Sequence, residues 1–247
     1  MTLPNITRNA LVVTGGARGI GAEIARRAAA AGTPVAVLHR LGGRPATDVV
    51  EAITAAGGRA VGIGVELGDD ESVRHAFAEV DRRLGAIGGL VNNAVDAGGP
   101  TPLAELRMAD AVRLLRVNVA GALACVREAA GRMTAGGIVS LSSARAVHTG
   151  GSGGWLAFAA AKAGLEAVSR GLAVDLAPAI RVNVVRVGIA DTETRRSQGA
   201  EYVERLVAAV PQRRAATVGE IAAAVLWLLS DEAAYVTGAV LDVAGGL

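Results

Sequence analysis

A doubly wound α/β fold, with a seven-stranded parallel sheet and helices on both faces, is the architecture this chain predicts. Three observations lead there. Short runs rich in Val, Ile and Leu alternate with longer Ala-, Arg- and Glu-rich segments from one end to the other. The short runs are apolar on both faces, as strands covered from both sides must be. The longer segments repeat apolar residues at three- and four-residue spacing, the pattern of helices with one buried face.

The elements follow in order. "ALVVTG" (10–15) is the first strand, and an amphipathic pattern over 19–31 the first helix. "PVAVLH" (34–39) and "RAVGIGV" (59–65) are the next strands, each followed by a helical pattern, at 46–56 and 70–84. "GGLVNN" (88–93) leads to a long helix over 109–134, and "GIVSLS" (137–142) to one over 155–177. "IRVNVVRV" (180–187), a helix over 218–230 and "AVLDVA" (239–244) complete the alternation. Glycine-rich patches at 97–99 and 150–154 fall where loops belong, and nothing repeats at a fixed period. Segment 188–216 breaks the rhythm with the polar run "DTETRRSQGAEYVERL", long enough to be a mobile cover over a site. At 247 residues the chain is expected to be one domain, 1–247, with no linker.

Composition excludes several classes of function. A single cysteine, Cys125, rules out an internal disulfide, and "MTLPNITRNALVV" lacks the apolar core and cleavage site of a secretory signal. A cytoplasmic location is expected. No stretch is apolar for the roughly 18 residues a membrane helix needs, so no membrane is expected as partner. The net charge is only +2, the Arg-Arg pairs are scattered, and two each of Trp, Tyr and Phe leave little for base stacking. Neither nucleic acid nor a metal ion is expected.

"TGGARGIG" (14–21) sits between the first strand and the first helix, which places Gly15, Gly19, Ile20 and Gly21 in the turn. Glycines let the backbone approach a pyrophosphate, and the helix N-terminus offers free N–H groups and a partial positive charge. The context is that of a Rossmann-type dinucleotide site. About 20 residues on, NAD sites carry an acidic residue for the ribose 2′-hydroxyl. Here the second strand ends "LHRL", with His39 and Arg40. Arg40 and Arg18 can pair with a 2′-phosphate, or they are two solvated arginines; the missing carboxylate points independently to NADP(H).

Together these residues resemble the short-chain dehydrogenase/reductases. TGGARGIG, Asn92-Asn93-Ala94 after the fourth strand, Asn118, Ser143, Lys162 and "YVTGAVLDVAGG" (235–246) carry the resemblance over nearly the whole chain. It is closest to the 3-oxoacyl-carrier-protein-reductase-like and glucose-dehydrogenase-like branch. The resemblance implies a catalytic Asn, Ser, Tyr and Lys at Asn118, Ser143, Phe158 and Lys162, and so position 158 lacks the tyrosine. It further implies cofactor contacts at Asn92, Ala94, Glu66, Leu67, Gly188 and Thr192, backbone support from Asn93, and a homo-oligomer, tetramer or dimer, built through 109–134, 155–177 and 239–244. Val187, Val95 and Glu66-Leu67 also depart from the family pattern. A lone Tyr-to-Phe replacement would not produce those departures.

Lys162 is the single lysine in a chain with 25 Lys and Arg residues. A slim ammonium fits a ribose diol where a planar guanidinium does not. Without the tyrosine, the proton that ketone reduction needs has no evident source, and a positioned acid typically contributes about 10²–10⁴-fold. An iminium brings its own proton and charge, and an aromatic ring can face it. The expected function is therefore NADPH-dependent reduction of a C=N or similarly activated bond of a small apolar molecule. Trp155, Leu156 and Phe158 would form an apolar wall, and Ser143, His148 and Tyr202 complete the expected substrate side. Two alternatives stay open: a ketoreductase with position 158 replaced or another proton donor, and a cofactor-binding scaffold or partner subunit without redox turnover.

Overall fold

The computed structural model describes residues 9–43 and 46–247; the first eight residues of the opening segment, expected to carry no secretory signal, lie outside them. The chain runs β1 (Ala10–Thr14), α1 (Gly19–Ala30), β2 (Val35–Arg40), α2 (Thr47–Ala55), β3 (Ala60–Val65), α3 (Asp70–Leu84) and β4 (Ile87–Asn92). There follow α4 (Met108–Leu115), α5 (Ala122–Ala130), β5 (Gly136–Ser143), α6 (Ala144–His148) and α7 (Leu156–Asp175). β6 (Ile180–Val187), α8 (Glu193–Arg196), α9 (Ala200–Ala208), α10 (Val218–Leu229) and β7 (Val240–Val243) close the chain. The seven strands form one sheet in the order β3-β2-β1-β4-β5-β6-β7, every pairing parallel.

The period-two geometry of β1 divides the core. Leu11 and Val13 pack with Ile24 of α1 and Ile221 and Val225 of α10 on one face, while Ala10 and Val12 pack with Val73 and Phe77 of α3 and Cys125 of α5 on the other. Both faces are thus covered, which is why β1 reads as apolar throughout. Local signals set the helix starts. Asp69 caps α3 by accepting from the Glu71 N–H at 3.1 Å, and Thr217 and Glu220 form a reciprocal capping box on α10. In contrast, Arg18 gives α1 no side-chain cap.

The segment expected as a single helix over 109–134 is interrupted. Between α4 and α5 the chain makes a π-helical turn, Arg116–Gly121. Its cause is Asn118, whose side-chain Nδ2 donates to the Leu114 carbonyl at 2.9 Å and competes for the acceptor that the Asn118 backbone N–H would take in an α-helix. The break in 188–216 also carries structure, the helices α8 and α9. A small apolar cluster of Ile189, Leu206 and Val210 packs this segment onto itself.

Candidate active site

A cleft of about 970 Å³ opens at the C-terminal ends of the strands, where the order reverses between β1 and β4. That is the switch point at which doubly wound sheets take their ligands, and the volume lies at the upper end of the usual range of about 300–1,000 Å³.

The floor is made by the β1–α1 turn. Gly15 has φ +64°, and a Cβ there would lie 2.8 Å from the Cα of Ala94. The loop after β4 is tied to the same turn. Thr14 Oγ1 accepts from the Asn93 and Ala94 N–H groups, both at 3.0 Å, and Asn93 Nδ2 donates to the Thr14 and Gly15 carbonyls at 2.9 and 3.0 Å. Asn93 is backbone support, as expected. Gly15, Gly19, Ile20 and Ala94 line the cleft, whereas Gly21 does not: its missing Cβ leaves room for Asn93 Nδ2, which a Cβ would meet at 2.5 Å. Asn92, expected to touch the cofactor, is buried below the loop and donates to the Ala122 carbonyl at 3.4 Å and Ser140 Oγ at 3.5 Å. Arg18, His39, Arg40, Glu66 and Leu67 line one end of the cleft. Among the described residues neither Arg18 nor Arg40 has a carboxylate partner. An uncapped helix start, a close-approach glycine turn and two free guanidiniums fit a dinucleotide bearing a 2′-phosphate.

At the other end Lys162, deep in α7, donates from Nζ to the Leu141 carbonyl at 2.8 Å. Burial, partly offset by Glu166 one turn on, lowers its pKa to about 8. Its Nζ stands 5.8 Å from the centre of the Phe158 ring, which meets Trp155 edge-on at 5.9 Å and 68°. Phe158 and Trp155 also wall a side hollow of about 240 Å³ reaching to Leu106 and Leu114. Leu156, expected in that wall, is 41% exposed and stands in solvent. Ser143 lines the cleft at the end of β5, and its Oγ accepts from the Ala146 N–H at 3.3 Å, which leaves its hydroxyl proton free to donate inward.

Two further expectations change. Asn118 is buried beneath the loop after β4. Its Nδ2 donates to the Asp96 carbonyl at 2.7 Å and its Oδ1 accepts from the Asp96 N–H at 3.3 Å, so the amide is committed to holding that loop. His148 does not line the cleft. Residues 144–148 coil into α6 rather than a loop, which sets the ring 3.3 Å from Arg186 Nη1 and 3.9 Å from Asp242 Oδ2. Arg186 itself pairs with the buried Glu166 at 2.7 and 2.8 Å, and Ser142 donates to that carboxylate at 2.6 Å. Gly188, Thr192 and Tyr202 do line the cleft. A Cβ on Gly188 would sit 2.6 Å from the Cα of Ala244, and Thr192 caps α8 through the Arg195 N–H at 3.2 Å. Sequence reasoning missed Arg113, Arg145 and Arg195 in the lining, having judged only that the Arg-Arg pairs are scattered.

The family profile described as Enoyl-(Acyl carrier protein) reductase matches residues 15–247. The chain is 37% identical over 243 residues to the uncharacterized oxidoreductase YgfF of Escherichia coli, covering 95% of this chain and 98% of that one. It is 36% identical to the cis-4-hydroxycyclohexanecarboxylate dehydrogenase of Sinomonas cyclohexanicum, covering 95% and 94%. Among solved structures, a blue fluorescent protein from a metagenomic library in complex with NADPH superposes with a TM-score of 0.91 at 35% identity, over 98% of each chain. A short-chain dehydrogenase of Burkholderia cenocepacia in complex with NADP gives 0.91 at 33% identity, again over 98% of each.

Proposed function

The chain belongs to the short-chain dehydrogenase/reductase family, and from that membership we propose that it is an NADPH-dependent oxidoreductase reducing a C=N or similarly activated bond of a small molecule. The observation that carries the reading is Phe158, a side chain with no proton to give, one helical turn before Lys162 and on the same wall of the cleft. The free guanidiniums of Arg18 and Arg40 support NADP(H) over NAD, as do the NADPH and NADP held by two similar structures. Gly15, Gly19, Ile20 and Ala94 would hold the pyrophosphate half and Lys162 the nicotinamide ribose. NADPH, when bound, supplies the hydride. Lys162 positions the reacting end, Trp155 and Phe158 exclude water from one side, and the Phe158 ring favours a cationic acceptor. Segment 188–216, through α8 and α9, would act as the cover.

Ketone reduction is the second reading. The free hydroxyl proton of Ser143 and the Tyr202 phenol in the same cleft favour it. Phe158→Tyr separates the two. If the proton is the missing part, NADPH oxidation by cyclic ketones should rise by about 10²-fold or more while that by cyclic iminium ions stays level or falls. Efficient ketone reduction by the unmodified protein, unchanged in the variant, would overturn the C=N reading. NADPH binding without consumption across imines and ketones would overturn both.

Apolar side chains support a homo-oligomer. Met108, Val112 and Leu115 stand out along one side of α4, the first two 64% and 61% exposed, with Leu123 on α5 and Val174, 77% exposed, on α7. These are the segments through which association is expected. Light scattering that returns the monomer mass at micromolar concentration would overturn it.

A further inference from the structure

Two arginines in the cleft are unaccounted for by the reading above. Arg145 comes from α6, directly after Ser143, and Arg195 from α8; both line the cleft on the side of Ser143 and Tyr202. Several other guanidiniums are matched by carboxylates: Arg113 with Asp96, Arg127 with Asp70, Arg132 with Asp81, Arg186 with Glu166. Among the described residues Arg145 and Arg195 have no carboxylate. Arg195 donates to the neutral Gln198, at 2.8 Å, and its other polar neighbour is the Tyr202 phenol. Burial and then the charge of Arg145 lower the Arg195 pKa, with the Tyr202 phenol opposing. The two cations therefore feel each other across a partly desolvated gap. A like-charged pair left unmatched in a cleft costs free energy that an anion between them returns, and two planar forks hold a carboxylate with defined orientation.

We infer that Arg145 and Arg195 receive a carboxylate carried by the same small molecule that is reduced, so that the substrates of this protein are carboxylated. The inference names a substrate class for the proposed site and rests on that reading only for the reacting bond; the anion receptor stands apart from turnover. It also assigns the short helices α6 and α8 a shared task, since one arginine on each brings the cover segment and the end of β5 to a single ligand group. Arg18 and Arg40 lie at the other end of the cleft, so cofactor phosphates and substrate carboxylate draw on separate cations.

Calorimetric titration of the NADP⁺-saturated protein with cyclohexanecarboxylate and with cyclohexanecarboxamide tests this without any reaction. The carboxylate should bind at least about 10-fold more tightly than the amide. Arg145→Gln and Arg195→Gln should each remove about 10-fold of the carboxylate affinity while leaving the amide and NADP⁺ unaffected. Intact NADP⁺ affinity reports that the variants keep a folded cleft. No preference for the carboxylate, whether both probes bind or neither does, overturns the inference. So does a carboxylate affinity that survives both substitutions. If instead NADP⁺ affinity falls with the carboxylate's unchanged, the arginines serve the cofactor and the inference is again overturned. Carboxylate binding lost in the variants of a protein that never consumes NADPH would leave the receptor standing and defeat the reductase reading alone.

Discussion

Lys162 keeps its ammonium where burial disfavours charge. The Leu141 carbonyl, at 2.8 Å, and Glu166 one turn on favour the protonated form, and its pKa settles at about 8. Below that pH the ammonium is present, and by the proposed role would hold ribose hydroxyls; above it the charge is lost. NADPH affinity, followed by fluorescence titration, should therefore weaken as pH rises through about 8, and in Lys162→Met should be weak and free of this step. Folding stability moves the other way. The folded pKa lies below the ordinary 10.5, so between about pH 8 and 10.5 the unfolded chain binds the proton that the folded chain has released, and this group's contribution to stability rises with pH. That Lys162 matters is legible in the sequence, because one lysine stands among arginines. Its environment is not: Leu141 is 21 residues away and reaches it only through the β5–α7 packing. A greater distance in sequence hides Arg145 and Arg195, which look like any solvated arginine until two separate elements bring them together.

Among the elements, strand and helix order followed from periodicity, while the breaks inside elements did not. The π turn at Arg116–Gly121 has ordinary helix formers on both sides; what interrupts the ladder is one amide with partners in the loop after β4. α6 and α8 are too short to show a period. The row across β5, β6 and β7 is also set by register, which aligns Ser142 with Arg186 and Arg186 with Asp242. Glu166 of α7 closes over that row, pinning α7 to the sheet one turn beyond Lys162. Because Glu166 is almost fully buried, Arg186→Met leaves a carboxylate with only Ser142 to satisfy it and should cost about 3–5 kcal/mol in urea unfolding. Glu166→Gln should cost less, since Arg186 still has Asp242 at 3.6 Å.

For the whole molecule, the sheet order gathers at one rim segments that the sequence keeps far apart: the glycine turn after β1, the loop after β4, the end of β5 and the segment after β6 proposed as a cover. The fold was legible because strands covered on both faces need the same residues wherever they stand, and the dinucleotide end because its turn is local. The end proposed to take substrate is assembled from α6 to α9 and depends on tertiary placement. One consequence is chemical. Lysine-directed acylating reagents have a single ε-amine to find in this chain, and it lies inside the cleft, deprotonated at a pH lower than most amines. The rate at which that amine is acylated thus becomes a gauge of how open and how empty the cleft is, for any molecule that enters it.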